Sequence, residues 1–191
     1  MSEFIIVIIS SALINNVVLV QFLGAAPILA AAGRFNHALS LSILISLVLI
    51  SSAIFNHLVD MWILQPAGLI SIRLLIFAVV IALHVMLLGV LLRWRRPLLH
   101  RQLGLHLTLI AANTAVLGSS LLIIARNGTL VDTIIFALGS AAGFSLVMLL
   151  FSAMHERLNS AAVPVPFRGA AISLISAGLM ALGFMGFVGL V

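Results

Sequence analysis

Apolar residues run along this chain in six long stretches, approximately 4–31, 37–57, 70–92, 104–124, 130–153 and 169–190, separated by short segments that hold most of the charge and turn chemistry. A helix needs about 20 mostly apolar residues to cross a bilayer, and each stretch is long enough. The connections read as Gly33-Arg34, Gln65-Pro66, Arg93 to Arg101, Arg126-Asn127-Gly128, and His155 to Arg168 with Pro164 and Pro166. The pattern predicts an all-α membrane protein of six transmembrane helices, with all four acidic residues outside the apolar cores.

Composition narrows the reading further. Hydrophobic residues make up 64% of 191 positions and charged residues 7%, with a mean hydropathy of +1.38; soluble domains sit near half apolar and a quarter charged. That excludes a water-soluble fold and leaves no room for a separate extramembrane catalytic domain. The lipid bilayer is the expected solvent, and nucleic acid is not an expected partner, because loops this short build no basic groove. There is no cysteine, so the chain offers no thiolate for metal or catalysis. The motifs of metalloproteases, serine hydrolases and phosphate-binding loops are also missing, which points to one component of a larger assembly that is not catalytic alone.

Charge sets an orientation. The first, third and fifth connections carry Arg34, Arg93, Arg95, Arg96, Arg101, Arg157 and Arg168, whereas the others carry only Arg73 and Arg126. The positive-inside rule makes the arginine-rich set cytoplasmic. Both termini are then expected to be periplasmic, in the inner membrane of a bacterium.

Polar residues inside the apolar runs are the next signal, because an amide in hydrocarbon needs a partner. Asn15 and Asn16 lie in the first run and Asn113 in the fourth, and the pentads beginning at Asn15 and Asn113 share the pattern Asn-x-x-Val-Leu. Arg73 before the third run and Arg168 before the sixth form a second echo. With three spans in each half, such a repeat is inverted, residues 1–95 forming the first half and 96–191 the second, and this architecture places sites between broken helices. The first run is too long for one straight crossing and holds Gly24 and Pro27, so a break is expected near those residues. The alternative is a tilted first helix followed by an interfacial turn, with the pentad match fortuitous. Asn15, Asn16, Gly24, Pro27, Asn113 and Gly118 are the candidate helix-break residues.

Small residues at Gly139 and Gly143, and at Ala177 and Ala181 followed by Gly183, Gly186 and Gly189, mark close helix packing. His84 and His106 are candidate proton-relay groups, but a neutral histidine bonded to a neighbouring helix fits them as well.

Several of these stretches resemble known signatures: LINNVVLVQFLG from Leu13 to Gly24, ANTAVLG from Ala112 to Gly118, GFSLVMLLF from Gly143 to Phe151, HERL from His155, VPVPFRGAAISLISAGLM from Val163 to Met180, and the closing FMGFVGLV. On these the chain resembles the A-type membrane subunits of Rnf ion-translocating oxidoreductase complexes, which are homologous to an E-type component of the sodium-pumping NADH:quinone reductase. The resemblance implies a bacterial membrane complex that passes electrons between ferredoxin and NAD and couples this to sodium or proton movement. It implies a six-helix sister of the E type, further Rnf partners of the B, C, D and G types, and flavins on those partners. In the family a [2Fe-2S] cluster lies between the two sisters, held by one cysteine from each broken helix. The matching positions here are Ala26 and Thr114, so this member is expected to bind no cluster through cysteine. It carries no catalytic and no metal residue. Met86, Gly89 and Thr108 also stand where the family has other residues. A stand-alone inverted-repeat transporter or channel without redox partners is the alternative.

Overall fold

The computed structural model describes residues 2–95, 97–98, 107–126 and 128–187. Arg96, Arg101, His106, Asn127 and Gly189 lie outside the described residues. The described chain is helical, without strands.

The first apolar run does not form one helix. Helix α1 (Ser2–Ile9) widens into a π-turn over Ser10–Ile14, and regular structure then stops until α2 (Ala25–Ala30). The break therefore begins at Asn15 and ends at Gly24, earlier than the Gly24 to Pro27 expected from the sequence. Pro27 sits in the first turn of α2, where its missing N–H costs no intrahelical bond.

Helix α3 (Phe35–Val59) continues through a π-turn at Asp60–Leu64. The helical stretch Phe35–Leu64 is 30 residues long, about 45 Å at 1.5 Å per residue, and runs well past the expected end at residue 57. Asp60, expected in a connection, is instead inside the helical run and 2% exposed. Arg73, which opens α4 (Arg73–Arg95) after a 3-10 turn at Ile70–Ile72, compensates its charge: Nε donates to Asp60 Oδ1 at 2.5 Å, Nη2 donates to Oδ2 at 3.1 Å, and Gln65 Nε2 adds a third bond at 2.8 Å.

The fourth run is also divided, into α5 (Leu107–Ala111) and α6 (Thr114–Ala125), with Asn113 between them. Helix α7 (Leu130–Asn159) opens on a capping box in which Thr129 Oγ1 accepts from Asp132 N–H and Asp132 Oδ2 accepts from Thr129 N–H. Helix α8 (Ala170–Met185) follows a 3-10 turn at Val165–Phe167.

Helix α7 is the centre of the bundle and packs antiparallel along α3. Phe35 N–H donates to Glu156 Oε1 at one end, Ser46 and Ser145 hydroxyls meet at 2.8 Å midway, and His57 Nδ1 lies 3.0 Å from Thr133 Oγ1 at the other end. Through glycine, the opposite face of α7 takes the π-turn that continues α1: a methyl group at Gly139 would overlap the Ser11 hydroxyl, and one at Gly143 would lie 2.6 Å from the Ala12 carbonyl oxygen. The Gly139/Gly143 pair thus serves packing within the chain.

Among the described residues, three helical stretches are long and apolar enough to cross a membrane, Phe35–Leu64, Ile70–Arg95 and Leu130–Asn159, and three shorter apolar helices accompany them. Helix α4 is the least enclosed: 17% of its most apolar window is buried, against 50% and 56% for the other two. Leu75, Met86, Leu87 and Trp94 on α4, and Leu174, Leu179 and Leu182 on α8, are exposed. An exposed apolar surface of this extent needs lipid or protein to cover it.

Candidate functional site: the paired helix breaks

A broken helix inside an apolar layer leaves carbonyl groups at one end and N–H groups at the other without intrahelical partners. Here two asparagines supply what the backbone lacks. Asn16 is fully buried; its Nδ2 donates to Ala12 O at 2.7 Å, and its Oδ1 accepts from Val18 N–H at 2.9 Å and from Leu19 N–H at 3.3 Å. One side chain therefore closes the end of the first helix and orders the loop that leaves it. Asn113, 3% exposed, is the N-cap of α6, with Oδ1 accepting from Ala115 N–H at 2.9 Å.

The register of this pairing differs from the sequence echo. The pentads align Asn113 with Asn15, yet Asn15 is exposed and bonds only locally, from Nδ2 to Ser10 Oγ. Asn16 performs the i to i+2 bond that Asn113 performs. Likewise Arg73 holds Asp60, whereas Arg168 Nε donates to Val163 O within its own loop.

The two breaks touch. Gly24 N–H, at the entry to α2, donates to Thr114 Oγ1 at 2.9 Å. Gly24 has φ +78°, a left-handed conformation suited to glycine, and a Cβ there would lie 2.7 Å from the Phe144 ring, 2.8 Å from Ala115 Cβ and 2.9 Å from Asn113 Oδ1. Gly118 performs the matching service on α6, since a Cβ there would overlap the Leu23 side chain. The first break is therefore seated on the second through Leu23–Gly118, Gly24–Thr114 and Gly24–Asn113, with Phe144 of α7 behind it.

Ala26 and Thr114 both lie on the exposed side of this junction. Ala26 has no donor atom, and Thr114 Oγ1 already accepts from the Gly24 N–H, the kind of freed backbone group that stabilises cluster sulfurs. These residues do not fit a cysteine-ligated iron–sulfur cluster. Two of the described histidines have these neighbours: His84 Nδ1 lies 2.9 Å from Val80 O and its ring stands 4.7 Å from Phe55, while His155 Nε2 meets Ser173 Oγ at 2.8 Å.

The sequence that builds this junction has relatives among known proteins. A family model described as "Rnf-Nqr subunit, membrane protein" matches residues 4–191. The chain belongs to the Rnf-Nqr family. Proteins named as the A component of the ion-translocating oxidoreductase complex are similar to this Rnf-Nqr chain along its whole length. That of Pseudoalteromonas atlantica is 44% identical over 191 residues, 100% of this chain and 99% of the relative. The one from Aliivibrio fischeri is 43% identical with the same coverage, and the one from Shewanella amazonensis is 44% identical with both chains fully covered.

Proposed function

We propose that this chain is the A-type component of an Rnf complex, an integral membrane part of a translocase that couples electron transfer between ferredoxin and NAD to ion movement. The observation that carries the reading is the end-to-end match, above 40% identity, with proteins named for that role. The extensive uncovered apolar surface of α4 and α8 accords with a protein that is completed by lipid and by neighbouring chains. The partners are a six-helix sister of the E type and the Rnf components of the B, C, D and G types, with flavins on those partners.

The fold proposed to underlie this role is two inverted three-helix repeats, 1–95 and 96–191, with broken first and fourth spans. The arginine bias supports periplasmic termini in a bacterial inner membrane. At the junction between the sisters this member contributes no cysteine ligand. Its share in the complex is structural, with Gly24, Asn113 and Thr114 keeping the paired breaks closed where the family has a cluster.

Purification of the tagged chain in mild detergent, followed by mass spectrometry, tests the proposal. Recovery with a six-helix sister and flavin-bearing partners supports it. Recovery of the chain alone in several mild detergents overturns it in favour of a stand-alone transporter.

A further inference from the structure

Three buried side-chain atoms have no hydrogen-bond partner among the described residues: Asn56 Oδ1, Asn113 Nδ2 and Ser140 Oγ. Their residues are 0%, 3% and 2% exposed. Turning the Asn56 amide by 180° would exchange which of its atoms is unpaired and leave the deficit unchanged. In an apolar layer such groups are costly unless something polar reaches them.

The three lie on helices that face one another. On α3, Ser52 and Asn56 follow one turn apart on one face, and Asp60 opens the π-turn four residues further on. On α6, Ser120 stands two turns beyond Asn113; its hydroxyl accepts from Asn56 Nδ2 at 3.0 Å and donates to Val116 O at 3.1 Å. On α7, Ser140 lies between Thr133, which meets His57, and Phe144, whose ring abuts Gly24 at the break. At the Asp60 end the row meets a cavity of about 230 Å³ lined by His57, Asp60, Gln65, Ile124 and Gly128.

We propose that water occupies a seam between α3, α6 and α7, running from the His57–Asp60 cavity past Asn56, Ser120 and Ser140 to Asn113 at the helix break. Water fits all three vacant valences: it donates to Asn56 Oδ1, accepts from Asn113 Nδ2 and does either at Ser140 Oγ. Occupied in this way, the seam is a polar half-path from one end of the bundle to the paired breaks. The inference deepens the ion-translocating reading but requires only hydration, so a failure of the experiment below would leave the co-purification result untouched.

The absence of native cysteine makes the test direct. Ser120→Cys and Ser140→Cys are introduced singly into the tagged chain within its complex in native membrane vesicles, with Met148→Cys, 0% exposed on α7 and one turn beyond Phe144, outside the seam, as the dry reference. Vesicles are exposed to silver ion in chloride-free buffer, which reaches a thiol through water but not through hydrocarbon. The chain is then denatured and its remaining thiol counted by a polyethylene-glycol maleimide gel shift. Silver should block the Ser120→Cys and Ser140→Cys thiols at least tenfold faster than the Met148→Cys thiol. Blocking of all three at one rate would overturn the seam. Should the cysteine variants not assemble, a density map of the unsubstituted complex at water-resolving detail decides: ordered water within hydrogen-bond distance of Asn56 Oδ1 and Asn113 Nδ2 supports the seam, and contact of those atoms with protein or lipid alone refutes it.

Discussion

Alanine at Gly143 would place a methyl carbon 2.6 Å from Ala12 O, 2.8 Å from Ala12 Cα and 2.8 Å from Asn16 Nδ2. Two of these atoms are backbone, so no rotamer change relieves the overlap and the first helix must move away from α7. Overpacking of this kind costs about 1–3 kcal/mol. Displacing Asn16 also loosens its 2.7 Å bond to Ala12 O, worth about 1 kcal/mol. Against this stands a gain of about 1 kcal/mol from replacing glycine inside a helix, leaving a net loss of about 1–3 kcal/mol. For a chain of this length that corresponds to a fall in Tm of about 2–12 °C. Gly178→Ala in α8 isolates the propensity term, because nothing lies within 4 Å of the added carbon; it should leave Tm unchanged or raise it slightly. The assay is the fraction of fluorescently tagged full-length chain that stays monodisperse on size exclusion after heating in detergent. A Gly143→Ala chain that melts at or above the unsubstituted protein would refute the close-packing argument.

Three further substitutions probe the polar contacts. Arg73→Met strips both guanidinium bonds from the 2%-exposed Asp60 and should cost about 3 kcal/mol, with part recovered in the double variant Asp60→Leu/Arg73→Met; the same thermal assay reads both. Thr114→Val keeps the shape but leaves the buried Gly24 N–H without an acceptor, for an expected loss of about 1–3 kcal/mol, whereas Thr114→Ser should melt close to the unsubstituted chain. Asn113→Leu removes the cap on Ala115 N–H, about 1 kcal/mol, and should lower the amount of chain recovered with its partners at equal membrane expression.

The apolar runs foretell a helical membrane protein because, of the helix and the closed barrel that satisfy every backbone group in lipid, only the helix needs about 20 consecutive apolar residues. They are less informative about where helices end. Gly24 and Pro27 are the residues of the first run that disturb helices in water, and they mark the end of its break. The break begins instead at Asn15, where Asn16 carries the bonds that the backbone gives up. The repeat of Asn-x-x-Val-Leu points to both breaks but pairs the wrong asparagine, because a shared pentad records residue identity and not which amide faces inward. Asp60 reads as a loop residue for a similar reason: a charged residue ends an apolar window by composition, yet Arg73, 13 positions on, lets the helix carry it indoors. Nor does sequence single out Asn56 and Ser120 from the many small polar residues of this chain; only the packing of α3 on α6 brings them together.

The junction is held by side chains and backbone of this chain alone. A site held together by its metal collapses when the ligands go. Here the contacts that seat one break on the other are independent of any thiolate: Asn16 and Asn113 satisfy the interrupted backbones, Gly24 and Gly118 allow the close approach, and Thr114 takes the Gly24 N–H. Threonine at that position is therefore not inert. It supplies an oxygen to a backbone donor that would otherwise be buried and bare, which valine or alanine could not do. If that bond is what maintains the junction, introducing cysteine at position 114 exchanges a strong acceptor for a weak one, and a Thr114→Cys chain should melt below the Thr114→Ser chain in the heating assay.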